Sequence, residues 1–301
     1  MKTLRVGLVF VLGVAAVAAG VQAATGAASK TAGAARVPVL PGEPGLLRDV
    51  NFVSSCGFSH RNQDDPIVFP GKPGLSHDHT YFGNNTTNAS STLTSMLDGT
   101  TTCRRPGDTA GYWVPTLFSP DGTPVRPLGA TIYYRRRTFA PVAPFPPGLK
   151  MIAGNSHATG PQSTRIVFWS CGVDGGVPPS ADIPTCPGGR QLGLRLHIRF
   201  PGCWNGRQLD SSDHMSHMAY AVNTRCPFDH PISVPQITLI VNYGIAGGSG
   251  YELSSGGQET GHADFFNAWN QAQLETLVNG CLNMLRHCGG LDPPPVPTPF
   301  R

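Results

Sequence analysis

Charge is scarce in this 301-residue chain: 13% of the residues are Asp, Glu, Lys or Arg, and the two signs nearly cancel at a formal net +4. A balance so close to neutral builds no field for a polyanion, so no nucleic acid partner is expected. The same scarcity denies a coiled coil its charged flanks. Beyond the N-terminus, no apolar run reaches the roughly 18 residues of a membrane span. No Cys-x-x-Cys pair occurs, which argues against a thioredoxin-like redox site and a zinc ribbon. There is no P-loop, no Gly-rich dinucleotide fingerprint, no Gly-x-Ser-x-Gly elbow and no internal repeat.

Glycine and proline, in contrast, are abundant at 37 and 29 residues, so the elements should be short and separated by turns. A 40% hydrophobic content is enough for a core in one large domain. The chain opens with Lys2 and Arg5, then an apolar run from Val6 to Val21, and closes this segment with Val21-Gln22-Ala23. This is the pattern of a secretory signal peptide over residues 1–23, cleaved after Ala23; an N-terminal anchor is the alternative. Secretion is therefore expected, with no membrane partner after cleavage, and a monomer. Residues 24–45 read as a flexible lead, 46–288 as a single domain, and 289–301 as a Pro-rich tail that can hold neither a helix nor a central strand.

Eight cysteines follow the signal, an even number that in an exported chain implies disulfides. Connectivity stays open at this level. Proximity along the chain suggests Cys281–Cys288, Cys171–Cys186 and Cys203–Cys226, which leaves Cys56–Cys103. Strand signals are Ala130–Tyr134, Arg165–Ser170, Leu194–Phe200 and Gln236–Tyr243. In Leu194–Phe200, Leu194, Leu196, Ile198 and Phe200 face one way, and Arg195, His197 and Arg199 the other. The expected fold is mainly β, an antiparallel β-sandwich or jelly-roll-like core with long disulfide-tied loops and one C-terminal helix. That helix is expected over Phe265–Val278, with Asp264 as N-cap and Gly280 at its end. The basic run Arg135-Arg136-Arg137 reads as an exposed strand end, with contact to an anionic ligand as the alternative. The sequons at Asn84, Asn85 and Asn88 read as a hydrophilic surface loop.

Histidines carry the chemical signal. His77 and His79 flank Asp78, and residues i and i+2 share one face of an extended strand, where they can chelate one ion or contact one ligand. His214 and His217 sit three apart, close to Asp210 and Asp213, either of which could orient an imidazole. His262 precedes Asp264 at the expected helix start, where the helix dipole would keep it neutral and fit to act as a base or a ligand. Convergence of these segments makes His77, His79, His217 and His262 candidate metal ligands. His77, His79, Asp213, His214, His217, His262 and Asp264 are the candidate catalytic set. One divalent ion, zinc, copper or calcium, is the candidate cofactor, and metal-free acid–base chemistry is the alternative. His60 with Asp64 and Asp65 is a further candidate lining of the same cleft, whereas His157, His230 and His287 read as ordinary surface or loop residues.

Several pieces in order resemble the secreted DUF1996 family of filamentous bacteria and fungi. They include Asn51-Phe52 with Cys56, Asp65-Pro66-Ile67, Ser76-His77-Asp78-His79 with Phe82-Gly83-Asn84, and Tyr112-Trp113. Further along come Cys203-Trp204, Asp213-His214 with Ser216-His217, and Gly261-His262 with Asp264. The resemblance covers roughly residues 48–288. It implies an extracellular protein with one continuous domain, and it implies no agreed reaction. Fungal relatives resemble wall- or polysaccharide-associated proteins, which points to a polysaccharide or cell-wall glycan as partner.

The leading functional expectation is a glycan-active hydrolase or lyase. Trp113 or Trp204 would then form a stacking platform, and Arg195 or Arg199 would neutralise a uronate. A glycosidase would draw two carboxylates from Asp65, Asp78, Asp210, Asp213 and Asp264. The alternatives are a non-catalytic glycan- or wall-binding protein and a structural metal-binding protein.

Overall fold

The computed structural model describes residues 45–172 and 178–289. The expected signal peptide, nearly all of the lead and nearly all of the tail lie outside the described residues. No described helix is long and apolar enough to cross a membrane.

Two β-sheets share the main core. The six-stranded sheet runs in the order His287–Cys288, Asn51–Cys56, Gly129–Arg135, Gln236–Asn242, Leu194–Arg199 and Val167–Cys171; it is antiparallel except where His287–Cys288 joins the edge in parallel. All four sequence-expected strands lie in it. The five-stranded antiparallel sheet runs Phe58–Asn62, His79–Gly83, Gly111–Pro115, His262–Phe266 and Lys150–Gly154. Ile132, Tyr134, Leu196, Ile198 and Leu239 from the first sheet meet Tyr112, Val114, Met151 and Phe265 from the second in one buried cluster. The expected alternation holds for Leu194, Leu196 and Ile198, which enter this core.

The far face of the five-stranded sheet is also covered. There Tyr81, Trp113 and Phe266 pack with Ile67 from a loop and with Met96 from the short helix Leu93–Leu97. All four disulfides suggested by proximity are formed: Cys56–Cys103, Cys171–Cys186, Cys203–Cys226 and Cys281–Cys288.

Three local expectations are corrected. His262–Phe266 is a strand, because it pairs on both sides, with Gly111–Pro115 and with Lys150–Gly154. The C-terminal helix starts later, at Gln271–Leu277, and runs on as a π-helical turn over Val278–Asn283. Its N-cap is Asn270, whose side chain accepts from the Gln273 amide, so Asp264 caps nothing. Arg135 and Arg136 are buried rather than exposed, and the Arg136 guanidinium donates to the carbonyls of Thr138, Phe139, Ala140 and Leu282. Asn84 is buried too, its amide donating to the Met96 and Thr109 carbonyls, so only Asn85 and Asn88 of the sequon run are exposed.

Candidate functional site

Strand register assembles the site. Asp264 lies opposite Trp113, and Trp113 opposite Tyr81. Two residues further along the same face come His262, opposite Gly154, and His79, opposite Pro115. The His79 and His262 rings reach toward each other across the proline, with centroids 5.9 Å apart. His77 closes the group from the incoming loop, 4.2 Å from the His79 ring and 5.0 Å from the His262 ring. One nitrogen from each of the three imidazoles lies within 4.8 Å of the other two.

The loop that delivers His77 is pinned by its neighbours. Asp78 faces away, as the spacing requires; its carboxylate accepts from the Thr116 hydroxyl and pairs with Arg61. The Asp78 carbonyl accepts from the Ser254 hydroxyl. On the other side of His79, the Asp64 carbonyl takes both the His79 Nδ1 proton, at 3.0 Å, and the Tyr81 hydroxyl. His262 Nδ1 donates in the same way to the Thr260 carbonyl at 2.9 Å. A carbonyl only accepts, so Nδ1 carries the proton in both rings, and each Nε2 keeps its lone pair. Nε2 of His79 and Nε2 of His77 are buried and have no hydrogen-bond partner.

Burial sets the charge state of the group. Desolvation, and then the charge of His157, pulls His77 down to about 4. Desolvation takes His262 to about 3 against the opposing bond to Thr260, and it takes His79 well below the ordinary histidine range. The sequence argument expected a neutral His262 because of a helix dipole; the cause in the structure is burial. Asp264 stands behind the imidazoles, with Oδ2 4.0 Å from His262 Nε2. Both its oxygens are buried without a partner, and desolvation followed by the nearby Asp65 carboxylate pushes it well above the carboxylate range. Asp65, His79 and Asp264 form a second close set of ligand atoms.

The fourth histidine near this site is His157, not His217. His157 is exposed on the loop after Lys150–Gly154, close enough for its charge to act on both His77 and His262. That loop is tied down by Gln162, whose amide donates to the Asn155, Glu259 and Gly261 carbonyls. Sequence reasoning missed it because nothing local marks Gly154 as the partner of His262.

His217 lies at the opposite end of the same strand, where its Nε2 bonds the Lys150 carbonyl at 2.7 Å and its Nδ1 bonds the Ser211 hydroxyl. Lys150 and Gly154 are roughly 13 Å apart along a strand. His214 pairs with Asp210. Asp213 accepts from the Ser211 and Ser216 hydroxyls and from the Met215 and Ser216 amides, bonds that hold it below the usual carboxylate range. The 210–217 segment is a hydrogen-bonded turn inside the Cys203–Cys226 loop and does not join the imidazole group.

Of the expected binding residues, Trp113 sits in register with Asp264 and the others stand elsewhere. Trp113 is fully buried and offers no open platform. The Trp204 indole donates to the Gln208 carbonyl. Arg199, on the six-stranded sheet, is buried and donates to the Thr164 and Arg165 carbonyls, and Arg195 is on the same strand. His60 stacks on Tyr81 at 4.6 Å and bonds the Thr87 carbonyl.

Comparison with curated proteins and comparison with solved structures each found no match. The family model described as a domain of unknown function, DUF1996, matches residues 65–269, a span that contains all three imidazoles and Asp264. With more than half of its length matched, the chain belongs to the DUF1996 family.

Proposed function

We propose that the protein acts outside the cell as a monomeric, metal-assisted glycan hydrolase, with one zinc or copper ion held by His77, His79 and His262. The observation that carries this reading is the pair of buried Nε2 atoms, on His77 and His79, that have no hydrogen-bond partner. Leaving such groups unsatisfied costs on the order of 1–3 kcal/mol each, and a cation answers them together. The backbone bonds at His79 and His262 Nδ1 are the outer contacts that metal-bound histidines usually make. Three imidazoles suit zinc or copper; the oxygen-seeking calcium ion suits them poorly. Held there, the ion would supply a polarising charge and an activated water. The protein's own contributions are fixed ring tautomers, an Asp264 carboxyl beside the ion and the half-buried His77 side as the route to solvent. The glycan substrate rests on the family's resemblance to wall-associated proteins. We further read the two sheets that share the core as the faces of a β-sandwich.

A structural ion is the second reading, favoured by the near-complete burial of His79 and Asp264, since Asp264 as a fourth ligand would close the shell. Titration calorimetry with zinc and copper tests the site. Native protein and His217→Ala should bind one ion alike, while His77→Ala and His262→Ala should each lose at least about tenfold. Equal binding by all four proteins would refute the centre. Reducing-end release from acidic and neutral polysaccharides, lost on chelation and restored by the ion, separates a catalytic ion from a structural one.

A further inference from the structure

Away from the imidazole group, a cavity of about 380 Å³ opens on the six-stranded sheet. Its lining includes Ser55, Arg104, Leu128, Thr131, Arg190 and Asn242, and no carboxylate among the described residues. Two positive charges therefore share a concave site with no local counter-charge. Arg104 and Arg190 are both exposed, and neither enters an ion pair among the described residues.

The frame that carries them is rigid. The Arg104 amide donates to the Ser55 carbonyl at 2.9 Å, and the Arg190 carbonyl accepts from the Asn242 side chain at 3.0 Å. The Leu128 amide donates to the Asn242 carbonyl at 2.7 Å. Ser55 and Thr131 face each other in register across adjacent strands. Arg195 lies opposite Asn242 in the next strand, and its Nε is buried without a hydrogen-bond partner.

We propose that this cavity binds a carboxylated sugar, one uronate unit of an acidic glycan. Guanidinium groups pair with carboxylates through two parallel hydrogen bonds. The Ser55 and Thr131 hydroxyls are of the kind that bond sugar hydroxyls, and Leu128 supplies an apolar patch for a ring face. The volume lies within the roughly 300–1,000 Å³ of small-ligand sites. The site uses none of the histidines, so it stands or falls apart from the metal centre.

The test is calorimetric titration of the whole protein, kept in chelator, with tri-galacturonate, with neutral galactotriose and with inorganic sulfate at matched ionic strength. Arg104→Gln combined with Arg190→Gln is the variant; both side chains are exposed, and circular dichroism checks the fold. The acidic trisaccharide should bind, the neutral one at least tenfold more weakly, and the double variant should lose at least tenfold for the acidic one. His262→Ala should bind the acidic trisaccharide like the native protein. No binding of the acidic trisaccharide, equal binding of the two sugars, or unchanged affinity in the double variant would each overturn the proposal. Sulfate binding as tightly as the acidic trisaccharide would mark a plain anion site and overturn the sugar assignment.

Discussion

Two interior carboxylates, Asp108 and Asp264, meet burial in opposite ways. Asp108 accepts hydrogen bonds from the Ser54 and Tyr112 hydroxyls; Tyr112 in turn contacts the Tyr134 hydroxyl, to which the Trp269 indole donates. Even so, desolvation outweighs these bonds and pushes it up to about 7. An unfolded Asp releases its proton near 3.9. The folded state therefore keeps a proton that the unfolded state has lost, and this stabilisation is full below about pH 4 and is lost as pH rises through 7. Asp108→Asn removes the titration. From pH 5 to pH 8 the unfolding free energy from urea titration should fall for the native protein relative to the variant by a few kcal/mol, at about 1.4 kcal/mol per pH unit; parallel profiles would contradict a protonated Asp108. Asp264 has no such donors, and a cation beside it would replace them. Gly154 is the other residue on which the site turns. It has φ +88°, and a Cβ there would stand 2.5 Å from the Gly261 carbonyl oxygen and 2.8 Å from the His262 Cα. Gly154→Ala should cost roughly 2 kcal/mol or more and weaken zinc binding. Gly71→Ala, at φ +70° with nothing near its added carbon, should cost only the roughly 1–2 kcal/mol of left-handed backbone and leave zinc binding unchanged. Urea unfolding and calorimetry on the two variants separate these effects.

At the level of elements, the Gln162 amide is the smallest change that tests how the rim is held. Two of its three carbonyl contacts, to Glu259 and Gly261, fasten the loop bearing His157 to the backbone just ahead of His262, and the third, to Asn155, braces the loop itself. Gln162→Ala should cut glycan turnover severalfold while calorimetric zinc affinity changes little, because His77, His79 and His262 keep their own anchors. A matching loss of zinc affinity would show that the loop shapes the ligands themselves. How much was legible in the sequence follows from what each strand touches. Leu194–Arg199 alternates, and Gln236–Asn242 is a long β-branched run, so both were read from pattern alone. His79–Gly83, Gly111–Pro115 and His262–Phe266 are buried at every position, because a loop carrying Ile67 and a short helix carrying Met96 cover their second face. With both faces covered there is no period of two to detect. Phe266 in the last of them and Trp269 beyond it even mimic helical spacing. The His77–His79 pair and His262 were found because residue type marks a ligand wherever the chain folds. His157 was left aside and His217 included because only register across distant strands tells one end of Lys150–Gly154 from the other.

For the molecule as a whole, low charge leaves little room for ion-pair stabilisation. Arg61–Asp78 and Lys150–Asp210 pair a fixed cation with a carboxylate near the surface, and surface pairs of this kind contribute about 0–1 kcal/mol. The load falls on the shared core and on the four disulfides, which act by restricting the unfolded chain. Cys56–Cys103 closes a separation of 47 residues and Cys281–Cys288 one of 7. Loop-closure entropy assigns these about 4 and about 2 kcal/mol, so Cys56→Ser with Cys103→Ser should lower stability more than Cys281→Ser with Cys288→Ser. Chemical denaturation of the two double variants gives the order. The Cys56–Cys103 loop contains His77 and His79, whereas the Cys281–Cys288 loop contains none of the three histidines, so the less destabilised variant should bind zinc with native affinity in calorimetry at room temperature. Loss of zinc binding in that variant would mean that the C-terminal bridge supports the His262 strand through the Gln271–Leu277 helix, and that the site depends on the whole fold more than on its own loops.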